Sequence, residues 1–217
     1  MFYASYGSFM HRLLEKYFRG TIQKDELPFA FLSGFSSNVL GERPSAEIAQ
    51  KYIRLGKQYF ENFNGFPFET VSVEDEFHFD VDGLKFVAFV DYIGKRDGHL
   101  AIVDHKSRDL KQRSNRAGKQ TAKDRELDDM LMQLYLYSHG VYKRYGEFPK
   151  TLCFNCLKNG QFIEEPFNHN IYLQTLDWAK RKADEIAGEE DFKPNMDYFR
   201  CKYLCGLHDS CCYYQGG

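Results

Sequence analysis

Two aspartates near the middle of the chain are spaced so that their carboxylates would act together. The runs 84–93 (LKFVAFVDYI) and 99–106 (HLAIVDHK) have the composition of strands, and the Asp-Gly pair at 97–98 is typical of a two-residue β-hairpin turn. With the turn at 97–98, the numbers of facing residues add up to 195, and so do 91 and 104. Asp91 and Asp104 are therefore predicted to lie directly opposite each other, with Cβ atoms roughly 5 Å apart.

The surroundings of this aspartate pair favour a metal site. Both strands are apolar on both faces, which predicts that they are central and covered on each side. Two facing carboxylates repel each other there, and a divalent cation that prefers hard oxygen ligands, Mg²⁺ or Mn²⁺, removes the repulsion. Lys106 lies two residues beyond Asp104 on the same sheet face, so its ammonium is expected beside the site. The alternative is that both aspartates lie at frayed strand ends, solvated or paired with Lys106 or Arg108.

Two helical segments carry further polar candidates. His11, in the pattern Gly7-Ser-Phe-Met-His11, lies one turn before Glu15, and Gln133 lies one turn before Tyr137. Taken alone, each pair is more typical of an ordinary amphipathic helix than of a site.

The residues after Lys106 form a basic segment, and 107–125 is predicted to be a mobile loop. The cations of the basic segment, 106–125, are Lys106, Arg108, Lys111, Arg113, Arg116, Lys119, Lys123 and Arg125, against only Asp109 and Asp124. Such a run is usually just solvated. One that leaves directly from a metal site, however, is where the backbone of a polyanion such as DNA would bind.

These candidates must be positioned by alternating helices and strands. Helical periodicity covers 7–19, 44–63, 126–145 and 170–187, and strand patterns cover 71–79, 84–93, 99–106, 150–157 and 161–167. Residues 21–43 and the tail from 188 are predicted to be irregular. The order predicts an α/β (α+β) fold in which a central mixed β-sheet is flanked by helices.

The composition is that of a globular protein. The chain has 217 residues, of which 43% are hydrophobic and 28% charged, and this excludes collagen, wholesale disorder and a membrane bundle. A net charge of −2 neither supports nor excludes a nucleic-acid partner. The first residues lack the layout of a signal peptide. We therefore expect one cytoplasmic domain over 1–217, without membrane contact, ending in a Cys-rich tail at about 188–217.

The six cysteines fall into two groups. Cys153 and Cys156 are three apart in a predicted strand and point to opposite faces, which indicates core residues. A second group lies in the tail and would suit zinc or an iron–sulfur cluster about as well as free thiols: Cys201, Cys205, Cys211 and Cys212.

Taken together, these residues resemble the PD-(D/E)XK nuclease superfamily, in particular its RecB-like and Cas4-like exonuclease branch. The matching pieces, in family order, are the Gly-x-x-x-His11 helix, the Asp91 strand, the Asp104-His105-Lys106 strand and the Gln-Leu-Tyr-Leu-Tyr segment at 133–137. The resemblance implies a restriction-endonuclease-like core. It also implies roles for the site residues: metal binding by His11, Asp91, Asp104 and the main-chain carbonyl of His105, water orientation or activation by Lys106, and support of the site and substrate contact by Gln133 and Tyr137.

The chain departs from the family pattern in two places. The family often has Gly-Arg-Ile-Asp where this chain has Ala-Phe-Val-Asp at 88–91, which puts a phosphate or supporting contact in doubt but not the metal site. Members with an iron–sulfur cluster use three C-terminal cysteines and one before the His helix, and no Cys precedes His11. Either Cys212 is the fourth ligand, or the chain lacks an N-terminal piece, or the cluster is absent. We favour the absence of an intact cluster.

Three functions are compatible with these patterns. The leading hypothesis is a Mg²⁺- or Mn²⁺-dependent deoxyribonuclease, expected to be an exonuclease in recombination, repair or phage DNA processing, with a helicase or recombination partner. The second is a catalytically inactive DNA-binding or docking module of a larger helicase–nuclease complex. The third is a different metal hydrolase that uses the same acidic hairpin.

Overall fold

The structure of the protein, a computed structural model, describes residues 2–41, 45–114, 120–191, 193–194 and 196–214. The helices are α1 (Phe2–Phe18), α2 (Leu27–Asn38), α3 (Ala46–Asn62), α4 (Ala122–Tyr145), α5 (His169–Ala187) and α6 (Tyr198–Tyr203). The strands are β1 (Glu69–Val81), β2 (Leu84–Arg96), β3 (His99–Lys106), β4 (Thr151–Cys156) and β5 (Phe162–Pro166). None of the described helices is both long and apolar enough to cross a bilayer.

The strands form one mixed sheet in the order β1-β2-β3-β4-β5. Neighbouring strands are antiparallel except β3 and β4, which run parallel. A parallel pair needs a crossover connection, and α4 lies in that connection. The predicted α/β (α+β) class, with a mixed sheet flanked by helices, is confirmed.

The turn between β2 and β3 has the predicted form. Asp97 and Gly98 have positive φ angles of 53° and 80°, as a type I′ turn requires. The pairing then runs from Arg96 opposite His99 to Tyr92 opposite Val103. The numbers of facing residues add up to 195 along this whole ladder, as predicted from the sequence.

Hydrophobic clusters lie on both faces of the sheet. Phe77 and Ile102 belong to the core under α4 and α5, whereas the next residue along β3, Val103, belongs to a cluster on the other face, where α1 contributes Phe18. Cys156 lies in the first of these cores and Cys153 in the second cluster. Both thiols are buried, which confirms the prediction that they are core residues on opposite faces.

The prediction that residues 21–43 are irregular is wrong for 27–38, and residues 42–43 lie outside the described residues. Residues 27–38 form α2, whose Leu27, Phe31 and Phe35 are four residues apart and buried in the core shared with α1 and α3. The run 33–37, SGFSS, masks the helix, because Ser and Gly have weak helix propensity. Tertiary packing of the three apolar side chains outweighs that propensity.

Two helices also begin where the sequence analysis predicts loop. α4 begins at Ala122 rather than near 126, because Thr121 and Asp124 form a capping box that satisfies each other's backbone N–H groups. In the tail, α6 is capped by Asp197, whose side chain accepts a hydrogen bond from the backbone of Arg200 at 2.8 Å.

The prediction that β2 is covered on both faces is wrong for its first half. β2 pairs with β1 from Leu84 onward, but β3 pairs with it only from Tyr92 to Arg96. Val87 and Phe89 lie in the part without β3 and are 55% and 56% exposed. Residues 75–81 and 84–90 therefore form a two-stranded extension, the β1–β2 arm, with one open face.

Replacing Gly56 by Ala is expected to weaken the packing of α3 on α2. A Cβ at position 56 would lie 2.2 Å from Cζ of Phe31, a fully buried ring. The helix-propensity gain of Ala over Gly is about 1 kcal/mol, whereas overpacking a core costs typically about 1–3 kcal/mol. Because an approach of 2.2 Å is far inside van der Waals contact, we expect the upper end of that cost, so the free energy of unfolding, measured by chemical denaturation, should fall by about 2 kcal/mol.

Gly188→Ala is the matched control, because the nearest atom to a Cβ there is 3.5 Å away. Its free energy of unfolding should change by less than about 0.5 kcal/mol. An unchanged or more stable Gly56→Ala protein would show that α2 and α3 do not pack in this way.

Candidate metal centre

The two aspartates lie where β2 and β3 separate. The ladder ends at the Tyr92–Val103 pair, so the predicted pairing of Asp91 with Asp104 does not form. The two aspartates are instead the next residues of their strands, where the strands part. Beyond this point β2 continues beside β1, while β3 continues beside β4 through Lys106. The backbone N–H of His105 donates a 2.6 Å hydrogen bond to Oδ2 of Asp91 across the gap. The carboxylates are thus placed at a fork in the sheet, between strands that no longer pair with each other.

The main-chain carbonyl of His105 lies on the same side of β3 as this hydrogen bond. In an extended strand the N–H and C=O of one residue point to the same neighbouring strand. The N–H of His105 points at Asp91, so its carbonyl also faces the fork. The ring of His105 is buried and meets the ring of His11 edge-on, with centroids 5.1 Å apart.

Glu74 is an additional acid of the fork that the sequence analysis missed. Val73 pairs with Tyr92 and Asp75 with Val90, so Glu74 stands opposite Asp91 in the register of β1 and β2. Ligand atoms of His11, Glu74 and Asp91 all lie within 4.8 Å of one another. A signal was present: with a turn at 82–83, facing numbers add up to 165, as 74 and 91 do.

Asp104 anchors a chain of polar contacts that leads into α4. It is 5% exposed, and its Oδ2 lies 2.8 Å from Nζ of Lys106. That ammonium donates to Oε1 of Gln133 at 2.8 Å, and Nε2 of Gln133 donates to the hydroxyl of Tyr137 at 2.5 Å. The structure therefore brings Lys106, Gln133 and Tyr137 together with Asp104.

The first helix, α1, places His11 at the fork. Nδ1 of His11 lies 3.5 Å from Oδ1 of Asp91. One turn earlier, Gly7 packs against the residue that follows Lys106: a Cβ at Gly7 would lie 3.3 Å from Oγ of Ser107. The glycine thus allows α1 to approach the end of β3 closely, which explains its place in the Gly-x-x-x-His pattern.

The charges at the fork shift the pKa values of its side chains. Burial raises the pKa of Asp91, but the hydrogen bond with His11 and the neighbouring histidines outweigh it and lower the pKa to about 2. Burial and the charge of Asp91 raise the pKa of Asp104 to about 6 and that of Glu74 to about 7. Burial lowers the pKa of His11, but Asp91 raises it by more. In the metal-free protein, bound protons rather than a cation offset the negative charge of these carboxylates.

The residues fit a hard divalent cation. Oδ2 of Asp104 is buried, and the ammonium of Lys106, 2.8 Å away, is the one partner that the described chain offers it. A set of three carboxylates and one imidazole suits a cation that takes mainly oxygen ligands. His11, Glu74 and Asp91 form the group whose ligand atoms meet, and the carbonyl of His105 faces them. Asp104 lies outside that group but close enough for its charge to act on His11, so it would join the ligands from β3.

Two further predicted groups are the cysteines of the tail and the cations of the basic segment. No three of the tail thiols (Cys201, Cys205, Cys211 and Cys212) meet within 4.8 Å in the described chain, so the zinc or iron–sulfur site stays a prediction. Three described cations of the basic segment form ion pairs with acids of α4 and β5: Arg108 and Lys123 with Glu126, and Arg113 with Asp128 and Glu165. Arg116 and Lys119 lie outside the described residues.

The sequence as a whole places these residues in a known superfamily. The family model of the PD-(D/E)XK nuclease superfamily matches residues 2–212, nearly the entire chain. The chain belongs to the PD-(D/E)XK nuclease superfamily. Members of this superfamily generally use divalent metals, in agreement with the His11, Glu74 and Asp91 cluster of this PD-(D/E)XK protein.

Individual relatives are distant. No curated protein matches the sequence. A candidate exonuclease from Eubacterium rectale has a similar crystal structure, with 12% identity and a TM-score of 0.47 over 92% of this chain and 80% of that one. The crystal structure of SSO0001 is 16% identical, with a TM-score of 0.37 over 96% and 97%. Likeness at this level carries no argument about function.

Replacing Glu74 by Gln is expected to stabilise the metal-free protein at pH 8. The folded-state pKa of about 7 exceeds the ordinary 4.5, so the folded state binds this proton more tightly than the unfolded state does. The Glu74 carboxylate therefore reduces stability as the pH rises from about 4.5 through about 7. Because the side chain is half-buried and partly screened, we expect a gain of about 1 kcal/mol in the free energy of unfolding in EDTA.

The gain should vanish below about pH 4.5, where the carboxyl group is protonated in both states. Glu76→Gln is the matched control: this exposed acid lies two residues away on the same face, and its replacement should change stability by less than about 0.5 kcal/mol. Destabilisation of Glu74→Gln at pH 8 would argue against an acidic cluster at the fork.

Proposed function

We propose that this PD-(D/E)XK protein is a Mg²⁺- or Mn²⁺-dependent deoxyribonuclease of the RecB-like and Cas4-like exonuclease branch, hydrolysing DNA phosphodiester bonds. The observation that carries the proposal is the fork itself, where Asp91 lies beside the imidazole of His11 and Asp104 lies beside the ammonium of Lys106. A binding module has no need for a buried carboxylate, Asp104, whose pKa is raised by burial and by a second carboxylate. The inactive docking module is therefore the weaker alternative.

The proposed ligands of the cation are His11, Asp91 and Asp104, with the carbonyl of His105 and with Glu74 as an addition from the structure. When bound, the cation would neutralise charge on a phosphate and lower the pKa of an attacking water. The chain's own contribution is to hold the ligands in a dry setting, since Asp104 and His105 are each only 5% exposed.

Lys106 is the group we assign to the attacking water or to the charge on the phosphate. Its Nζ is fixed from two sides, 2.8 Å from Oδ2 of Asp104 and 2.8 Å from Oε1 of Gln133. An ammonium held in advance at the place where negative charge develops stabilises the transition state without reorganising. Gln133 and Tyr137 serve as positioning residues for this ammonium.

DNA is the polymer we propose as substrate. A cavity of about 380 Å³ opens beside the fork and is lined by Gly7, Ser8, His11, Arg12, Glu15 and Glu74. Arg12 at this cavity and the basic segment that starts at Lys106 offer cations to a phosphate backbone. The order of the four sequence motifs supports action at DNA ends in recombination, repair or phage DNA processing, alongside a helicase or recombination partner.

The test is degradation of linear DNA by the purified full chain with Mg²⁺ or Mn²⁺. The wild-type protein should degrade linear DNA, whereas EDTA, Asp104→Ala and Lys106→Ala should each reduce the rate by at least about a hundred-fold. Closed circular DNA of the same sequence should resist, because an exonuclease needs an end.

Asp177→Asn and Lys182→Met are the matched controls, since both residues lie on α5, which contributes no residue to the fork. Both should retain wild-type rates. Equal activity of wild type and Lys106→Ala would exclude the proposed site, and cleavage of the circle would point to an endonuclease.

A further inference from the structure

Beside the fork lies an exposed aromatic side chain that the proposed chemistry leaves without a role. Phe89 and Val87 are more than half exposed on the open face of the β1–β2 arm. Ala88 and Val90 belong to the core under α4, so Phe89 between them points to the opposite side of the sheet, the side of α1, whose His11 lies 3.5 Å from Asp91. Two residues of a strand span about 6.5–7 Å, which puts Phe89 next to the proposed ligand.

The register of the arm shows what surrounds Phe89. Glu76 stands opposite Phe89, and His78 stands opposite Val87. Nε2 of His78 lies 2.6 Å from Oε1 of Glu76, so the polar groups here pair with each other. The acid facing Phe89 disfavours a phosphate at this position. The neutral face of a nucleobase is compatible with it and with an exposed ring.

The open face is also continuous with the proposed cleavage site. Phe89 is 56% exposed on this side of the arm, and His11 of α1 meets Glu74 and Asp91 on the same side. A strand whose phosphate reaches the fork would have its neighbouring base over the arm. Only a base with an unstacked face can use an aromatic platform, and single-stranded nucleic acid supplies such bases.

We propose that Phe89 is a stacking platform for one base of single-stranded DNA, next to the phosphate held at the fork. The assignment rests on the proposed function and narrows its substrate to an unpaired strand. Phe89 contributes through its ring rather than through apolar area alone, so Trp should replace it and Leu should not.

The first experiment compares cleavage of a single-stranded oligonucleotide by wild type, Phe89→Ala, Phe89→Leu and Phe89→Trp. We expect Ala and Leu to lower kcat/KM by about ten- to a hundred-fold, the range for losing one base–aromatic stack, while Trp stays near wild type. Val87→Ala is the matched control on the same face and should stay within about two-fold, because an aliphatic side chain provides no stacking. If wild type cleaves and Phe89→Ala cleaves equally well, the stacking role is overturned while the nuclease function stands.

The second experiment does not depend on cleavage. Trp178 is the single tryptophan, so the double variant Trp178→Phe, Phe89→Trp reports fluorescence from position 89 alone. With Ca²⁺ in place of Mg²⁺, oligothymidine should quench this fluorescence, whereas an abasic strand of equal length should not. Oligothymidine binding without quenching, or no binding at all, overturns the platform.

These results separate the two proposals. If oligothymidine quenches the fluorescence of Trp at position 89 but the protein never cleaves DNA, the stacking role stands and the nuclease function is excluded. The exposed apolar face could instead contact a second protein chain. Sedimentation of wild type and Phe89→Ala tests this alternative. A change of association state without a change in DNA binding would assign the face to that contact and overturn the stacking role.

Discussion

Repulsion between carboxylates gathered at one fork of the sheet is the constraint on which the rest of the site depends. Asp91, Asp104 and Glu74 come from three strands, and burial strengthens the repulsion among them. Separate elements supply the balancing charge: α1 provides His11, and β3 provides the N–H of His105 and the ammonium of Lys106. The arrangement is therefore suited to exchange a proton for a divalent cation.

Much of the site was predictable because hairpin geometry is local. A two-residue Asp-Gly turn fixes the register of both strands, and from it the neighbourhood of Asp91 and Asp104 follows. The same reasoning applied to the turn at 82–83 would have found Glu74, because the pairs on either side of it, Val73 with Tyr92 and Asp75 with Val90, keep the sum of 165. The site roles of Gln133 and Tyr137 could be predicted only from the family resemblance. Helical periodicity predicts a helix, but it does not predict which of its side chains point toward β3.

The features that could not be predicted from the sequence depend on long-range packing. The exposure of Phe89 follows from where β3 stops accompanying β2, and no pattern within β2 records that. The ion pair of Arg113 with Glu165 joins segments 52 residues apart, so a run of cations predicted as free for a polyanion is partly neutralised. In α2, burial of three apolar side chains overrides a Ser- and Gly-rich sequence, which local propensity cannot anticipate.

The most direct measurement is anomalous diffraction from crystals of the protein soaked in Mn²⁺. A cation at the fork should give a peak within about 2.0–2.3 Å of carboxylate oxygens of both Asp91 and Asp104 and near a ring nitrogen of His11. The peak should weaken or disappear in Asp104→Asn crystals soaked identically. A fully occupied peak that lacks contact with Asp104, or no peak within reach of Asp91, would contradict the account.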